Sequence, residues 1–109
     1  MNAQDVLKAA RARLCDADHW AKGRYCTDKD GHAVSAYDPT VCKWCLLGST
    51  MGLGDPNAEG EARLVLNEAV RITHPKSVSV AAYNDYYATF DDIVKVFDLA
   101  EKIAVERGL

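Results

Sequence analysis

The cysteines are the side chains of this sequence with the clearest chemical potential, and two of them form a Cys42-x-x-Cys45 pair. Two thiols at this spacing bind zinc when two further ligands complete a tetrahedron. The ligands that could complete it are Cys26 or Cys15, together with His19 or His32. Because these extra residues lack the spacing of a zinc ribbon or finger, packing of free thiols in the core is the competing interpretation. We therefore expect no cofactor, with zinc on Cys26, Cys42, Cys45 and His32 as the alternative.

Cys45 is also a candidate nucleophile. A thiol acts in catalysis when an imidazole activates it and a third polar group orients that imidazole. His32 and Asp85 are the first choices for these two roles, with His74 and Asn84 as substitutes. A redox Cys-x-x-Cys normally follows a strand in a βαβ unit, and no long strand is predicted before residue 38. We expect that the protein is not an enzyme, with a Cys45-dependent enzyme as the alternative.

A polar-aromatic segment lies near the C-terminal third of the chain and consists of Tyr83, Asn84, Asp85, Tyr86 and Tyr87. Asn and Asp side chains often bond to nearby backbone N–H groups, so one interpretation is that Asn84 or Asp85 only orders a loop. Alternatively, the tyrosines form an exposed patch with Phe90, since tyrosine is enriched at binding hot spots. The flanking acidic residues would suit a basic partner. We take residues 83–87 as the candidate binding segment.

Composition places the chain among ordinary globular domains. It has 109 residues, 49% of them hydrophobic and 27% charged, and we expect a single domain spanning residues 1–109. The net charge is −3, and the basic residues are scattered rather than arranged in a stripe, which disfavours a nucleic-acid partner. No signal peptide or bilayer-spanning run is evident, so we expect a cytoplasmic protein without a membrane association. The sequence does not indicate an oligomeric state.

Helical periodicity and capping signals predict a mainly α fold with about four helices and one small β-hairpin, an α+β arrangement being a variant of it. The predicted helices span about 3–15, 38–51, 55–73 and 89–107. Asp38-Pro39 and Asp55-Pro56 are the start signals of the second and third helices, and Thr89 with Asp92 forms a capping box for the last.

The remaining segments are less regular. An Asp28-x-x-Gly31 turn between two short runs predicts the hairpin within residues 24–35. Residues 77–82 alternate briefly and predict either a short strand or the first turn of a helix. Residues 83–87 are predicted to form an ordered loop.

Several of these residues recur in a fixed order, namely Trp20-x-x-Gly23, Tyr25, Asp28-x-x-Gly31, Trp44-Cys45-x-x-Gly48, Tyr83-Asn84-Asp85 and Thr89 before a C-terminal helix. The chain resembles, over about residues 3–105, a family of short bacterial and bacteriophage proteins of unknown function with W-x-x-G, D-x-x-G, C-x-x-G-A and W-N-D segments. Tyr83 replaces the tryptophan of that pattern and Ser49 replaces its alanine. The resemblance implies a small cytoplasmic protein of bacterial or phage origin, and it implies no activity.

Together these features favour a small protein-binding or regulatory module. A module of phage origin could modulate host machinery or an antiviral defence system. A cysteine-dependent enzyme and a zinc-stabilised structural domain are the two other hypotheses.

Overall fold

The computed structural model describes residues 1–76 and 78–109. Helices account for most of the regular structure and are separated by a long irregular segment that contains two short strands. The helices are α1 (Ala3–Arg13), α2 (Pro56–Thr73), α3 (Val80–Ala82) and α4 (Phe90–Glu106), and the strands are β1 (Cys26–Thr27) and β2 (Lys43–Trp44). The predicted mainly α fold with about four helices and one small antiparallel hairpin is confirmed.

The three long helices begin where the sequence supplies caps. Asp55 accepts a hydrogen bond from the backbone of Ala58, and Pro56 occupies the first helical position of α2. Thr89 and Asp92 form a reciprocal capping box at the start of α4. These two predicted starts are therefore confirmed, whereas α1 ends two residues before the predicted Cys15.

The hydrophobic core lies where α1, α2 and α4 pack against one another. Each helix buries one apolar stripe at helical spacing, which removes that stripe from water and stabilises the bundle. The fully buried residues of largest volume include Leu7, Leu66, Ile93, Val96 and Phe97. Among the described residues, no helix has both the length and the apolar character that a bilayer span requires.

β1 pairs with a different segment from the one predicted. The Asp28 turn is present, because its carboxylate accepts the backbone N–H groups of Asp30 and His32, each at 2.9 Å. The chain that follows this turn makes only one bridge, between Thr27 and Ala33. β1 instead pairs antiparallel with β2, far beyond the turn. The predicted pairing within residues 24–35 is thus limited to this bridge and to the backbone hydrogen bonds from Asp28 to His32 and from Val34 to Cys26, and the two-stranded ladder is formed by β1 with β2.

The predicted helix over residues 38–51 is wrong. The Asp38 side chain accepts the N–H of Thr40 at 2.8 Å and its hydroxyl at 2.6 Å, which forms a local turn. The following chain is extended, and its N–H groups at Cys42 and Cys45 donate to backbone carbonyls next to and within β1. Pairing with β1 therefore overrides the helical start signal, and only a short 3₁₀ turn follows, at Gly48–Thr50.

Two charged side chains hold the irregular segment against the helices. Nη1 of Arg13, at the end of α1, donates to the carbonyls of Ser49 at 3.0 Å and Met51 at 2.6 Å. The carboxylate of Glu59, which is buried in the first turn of α2, accepts the N–H groups of Gly52 and Asp55. Carbonyls and N–H groups of the loop that would otherwise lack partners are satisfied in this way.

The segment before α4 continues from α3 without a break. Ser79 accepts the N–H of Ala82, so residues 80–82 adopt the helical alternative of the two predicted, while Ser77 lies outside the described residues. Residues Tyr83–Tyr87 form a π-helical turn, closed by a 2.9 Å bond from the N–H of Ala88 to the carbonyl of Tyr83, instead of the predicted loop. π-Helical turns are rare and often accompany functional sites.

The contact between Gly48 and β1 permits a test of the packing. A Cβ at Gly48 would lie 1.9 Å from the carbonyl oxygen of Tyr25, whereas a Cβ at Gly60, in α2, would meet nothing within 4 Å. We expect Gly48→Ala to lower the free energy of unfolding by about 1–3 kcal/mol or more, because Tyr25 must move. Gly60→Ala is the matched control and should raise it by up to about 1 kcal/mol. Urea denaturation of both variants distinguishes this account from one in which the two glycines are equivalent.

Candidate functional site

The side chain of Asn84 lies at the centre of the candidate site and is completely buried. Its Oδ1 accepts the indole N–H of Trp20 at 2.7 Å and the backbone N–H of Leu46 at 3.0 Å. Its Nδ2 donates to the carbonyl of Ala21 at 3.0 Å. A carboxamide is required here, because one end of the group faces N–H donors and the other faces oxygen acceptors.

Asp85 extends this network to the surface. Its Oδ1 accepts the N–H of Gly23 at 2.8 Å and the second N–H of the Asn84 amide at 2.9 Å. Within residues 1–76 and 78–109, no donor reaches Oδ2 of Asp85, and this carboxylate forms no ion pair. Asn84 and Asp85 therefore attach the π-helical turn to the segment 20–23 and to the chain that follows β2.

A cavity of about 440 Å³ opens beside this network. Its walls come from the chain before and within β1, from the segment after the Asp28 turn, from the end of β2, and from the turn that carries Asp85. The lining residues include Arg24, Tyr25, Cys26, Val34, Cys45 and Asp85. The cavity therefore brings two thiols, one carboxylate and one exposed guanidinium to the same open pocket.

The electrostatics of the cavity keep both thiols protonated near neutral pH. Burial raises the pKa of Cys45, and the nearby Asp85 carboxylate raises it further, although the N–H of Gly48 donates to Sγ at 3.2 Å and opposes the shift. Burial also raises the pKa of Cys26. Because a thiolate is the reactive form of cysteine, these shifts oppose nucleophilic reactivity in the resting protein.

The structure brings together part of the candidate catalytic set. Cys45 and Asp85 both line the cavity. His32 is instead exposed beyond the Asp28 turn, where its Nδ1 lies 3.3 Å from the Asp28 carboxylate. The substitute His74 packs against the rings of Tyr83 and Tyr87, at centroid distances of 5.4 and 4.7 Å.

The predicted metal ligands are separated in a similar way. Cys26 and Cys45 line the cavity, whereas Cys42 and His32 are not among its lining residues. The described residues contain two groups of three potential ligand atoms within 4.8 Å of one another. These groups are Cys15 with Asp16 and His19, and Asp28 with Asp30 and His32. Neither contains the Cys42-x-x-Cys45 pair.

The candidate binding segment divides between interior and surface. Tyr83 and Asn84 are buried, and Asp85 is half-buried in the cavity wall. Tyr86 and Tyr87 are 82% and 52% exposed. The candidate surface therefore consists of the last three residues of the segment, and the first two support it from within.

A further tyrosine belongs to the site and was missed in the sequence. Tyr25 is 56% exposed and lines the cavity, while its neighbour Cys26 is buried. Tyr25 immediately precedes β1, whose two residues are both buried, so an alternation of exposed and buried residues along the strand gave no signal for it. In the sequence, Tyr25 stands out only as part of the family pattern.

Comparison with known proteins identifies one family. The model of a family of unknown function, DUF6197, matches residues 1–103. No curated protein and no solved structure matches the chain. The predicted resemblance is confirmed at the level of a family without known function, whereas the motif pattern and the bacterial or phage origin stay predictions.

Alkylation of the thiols tests the electrostatic account of the cavity. In the metal-free protein, we expect iodoacetamide at neutral pH to modify the exposed Cys15 first. Cys45 should react at least about tenfold more slowly than in urea, because its modification requires local opening and its pKa is raised. A raised pKa shifts thiolate formation to higher pH. The alkylation rate of Cys45 in the folded protein should therefore still increase over a pH range in which the rate in the unfolded protein is already constant. Peptide mass spectrometry measures each site, and faster modification of Cys45 than of Cys15 at neutral pH would contradict the account.

Proposed function

We propose that this chain, which belongs to the family of unknown function DUF6197, is a small binding module that recognises a protein partner through the surface beside its π-helical turn. The family assigns no activity, so support for the proposal comes from the site. The observation that carries it is the display of two exposed tyrosines, Tyr86 and Tyr87, on a turn whose backbone is fixed by the buried Asn84.

The exposure of these rings favours binding over a role in folding. A tyrosine ring that packs only on its own protein is mostly removed from water, as Tyr83 is here. Tyr86 leaves 82% of its surface in water. Such rings contribute large contact areas to interfaces, and a turn that is already ordered loses little conformational entropy on binding.

The charges around the turn favour a partner with basic side chains. Asp85 lines the cavity, no donor of the described residues reaches its Oδ2, and Asp91 is exposed at the start of α4. A lysine or arginine of the partner would form a charge-assisted hydrogen bond with Asp85. Arg24 also lines the cavity, and it would suit a carboxylate elsewhere on the same partner.

This proposal includes the cellular context that the sequence suggested. In this context, a cytoplasmic module of bacterial or phage origin would act as a regulator. The protein that it regulates would belong to host or antiviral-defence machinery.

A cysteine-dependent enzyme is the second candidate, and one observation favours it. Cys45 lines an open cavity together with Asp85, and its sulfur accepts a backbone N–H from Gly48. The raised pKa of the Cys45 thiol and the distant placement of His32 weigh against this candidate. The alkylation experiment described above separates the two.

Substitution of the two exposed tyrosines tests the binding proposal. We expect a tagged Tyr86→Ala/Tyr87→Ala variant to lose a partner that the original protein captures by chemical cross-linking in lysate of its source cells. Loss of the two rings should weaken that interaction by about 2 kcal/mol or more, since hot-spot tyrosines have effects of this size. Quantitative mass spectrometry of the captured proteins measures the loss, and binding of the purified partner gives the affinity.

The matched control is Leu64→Ala/Ile72→Ala, which removes two exposed apolar side chains from α2. This variant should capture the same partner as the original protein. If no protein depends on Tyr86 and Tyr87, or if both double variants lose the same proteins, the proposal is wrong.

A further inference from the structure

Three potential metal ligands lie within five residues at the end of α1, apart from the cavity. Cys15 follows the helix, Asp16 caps a 3₁₀ turn that spans Ala17–His19, and His19 ends that turn. The turn folds the chain so that residues four apart meet, which places Sγ of Cys15 3.6 Å from Nδ1 of His19. Oδ1 of Asp16 lies 2.7 Å from the same nitrogen.

The separation of sulfur and nitrogen matches that of a tetrahedral zinc site. With Zn–S of about 2.3 Å and Zn–N of about 2.0–2.1 Å, tetrahedral angles place the two ligand atoms about 3.5 Å apart. Cys15 and His19 are already within 0.1 Å or so of this distance, at 3.6 Å. Oδ2 of Asp16 lies 3.9 Å from Sγ, against about 3.5 Å for two such ligands. Metal binding also requires the 2.7 Å hydrogen bond between Oδ1 of Asp16 and Nδ1 of His19 to open, which rotation of the Asp16 carboxylate achieves.

We propose that Cys15, Asp16 and His19 bind one divalent transition-metal ion, with Zn²⁺ as the cellular candidate, and leave its fourth position open. A thiolate, an imidazole and a carboxylate are all ligands that zinc accepts. The ligands are partly or fully exposed, so the ion reaches them without unfolding of the protein. On binding, the Cys15 thiol releases its proton to solvent, and neutral His19 coordinates through Nδ1.

The exposed position of the site leaves room for a fourth ligand from outside the chain. In the metal-bound protein without a partner, water fills this fourth position. A histidine or carboxylate of a binding partner can replace that water. His19 directly precedes Trp20, whose indole N–H donates a hydrogen bond to Asn84. Metal binding would therefore restrain the segment that leads into the central network.

The other cluster of the described residues provides an internal comparison. Asp28, Asp30 and His32 lie on an exposed turn and offer two carboxylates and one imidazole. Asp16 and Asp28 both accept backbone N–H groups, so the difference between the two clusters is that the Asp28 cluster contains no thiol. It therefore serves as a control rather than as a second proposed site.

Cobalt(II) titration under reducing conditions tests the proposal, because Co²⁺ occupies zinc sites and a thiolate ligand produces a sulfur-to-cobalt charge-transfer band. We expect the full chain to show this band with one equivalent of Co²⁺, and an added equivalent of Zn²⁺ to abolish it. Cys15→Ser and Cys15→Ala should both remove the band. His19→Ala should weaken the affinity at least about tenfold, as loss of a ligand does in other metal sites.

The controls are Cys42→Ser and His32→Ala, which should bind Co²⁺ as the original protein does. Circular dichroism establishes that every variant is folded. Absence of the band in the original protein, its persistence in both Cys15 variants, or its loss in either control would overturn the assignment. None of these outcomes depends on the protein partner proposed above, so the two proposals fail separately.

Discussion

The buried carboxamide of Asn84 is the interaction on which the irregular half of the molecule depends. The helices can pack through their apolar stripes alone, but residues 14–55 contain few regular backbone hydrogen bonds. Asn84 accepts the N–H groups of Trp20 and Leu46 and donates to the carbonyl of Ala21. Segments separated by about sixty residues in the chain thereby meet at one side chain, and a buried polar group of this kind is costly when any partner is lost.

The same interaction connects the fold with the proposed function. Because Asn84 fixes the π-helical turn, the next residues are presented in one orientation, with Asp85 in the cavity wall and Tyr86 in solvent. Gly48, whose missing side chain lets the chain after β2 approach the carbonyl of Tyr25, packs against residues that line the cavity. The buried residues Asn84 and Gly48 thus hold in place the exposed residues next to them, which form the proposed binding surface.

The sequence predicted the parts of the fold that depend on local signals. The starts of α2 and α4 follow from caps at Asp55 and Thr89, which act within one helical turn. The segment 38–51, which did not form the predicted helix, carried a similar start signal, but pairing with β1 determines its conformation. Periodicity does not reveal a pairing partner that lies 16 to 18 residues away in the chain. For the site, the sequence indicated the Asn84–Asp85 pair and Cys45, whereas the placement of His32 away from the cavity depends on tertiary structure.

Urea unfolding of Asn84→Ala is the most direct test of the central role of this carboxamide. The substitution leaves the Leu46 N–H, the Trp20 indole N–H and the Ala21 carbonyl without their partner. We expect the free energy of unfolding to fall by at least about 3 kcal/mol, whereas Asn57→Ala, at an exposed position of α2, should change it by no more than about 0.5 kcal/mol. A loss at Asn84 as small as that at Asn57 would contradict the account, since the irregular half would then be held by other contacts.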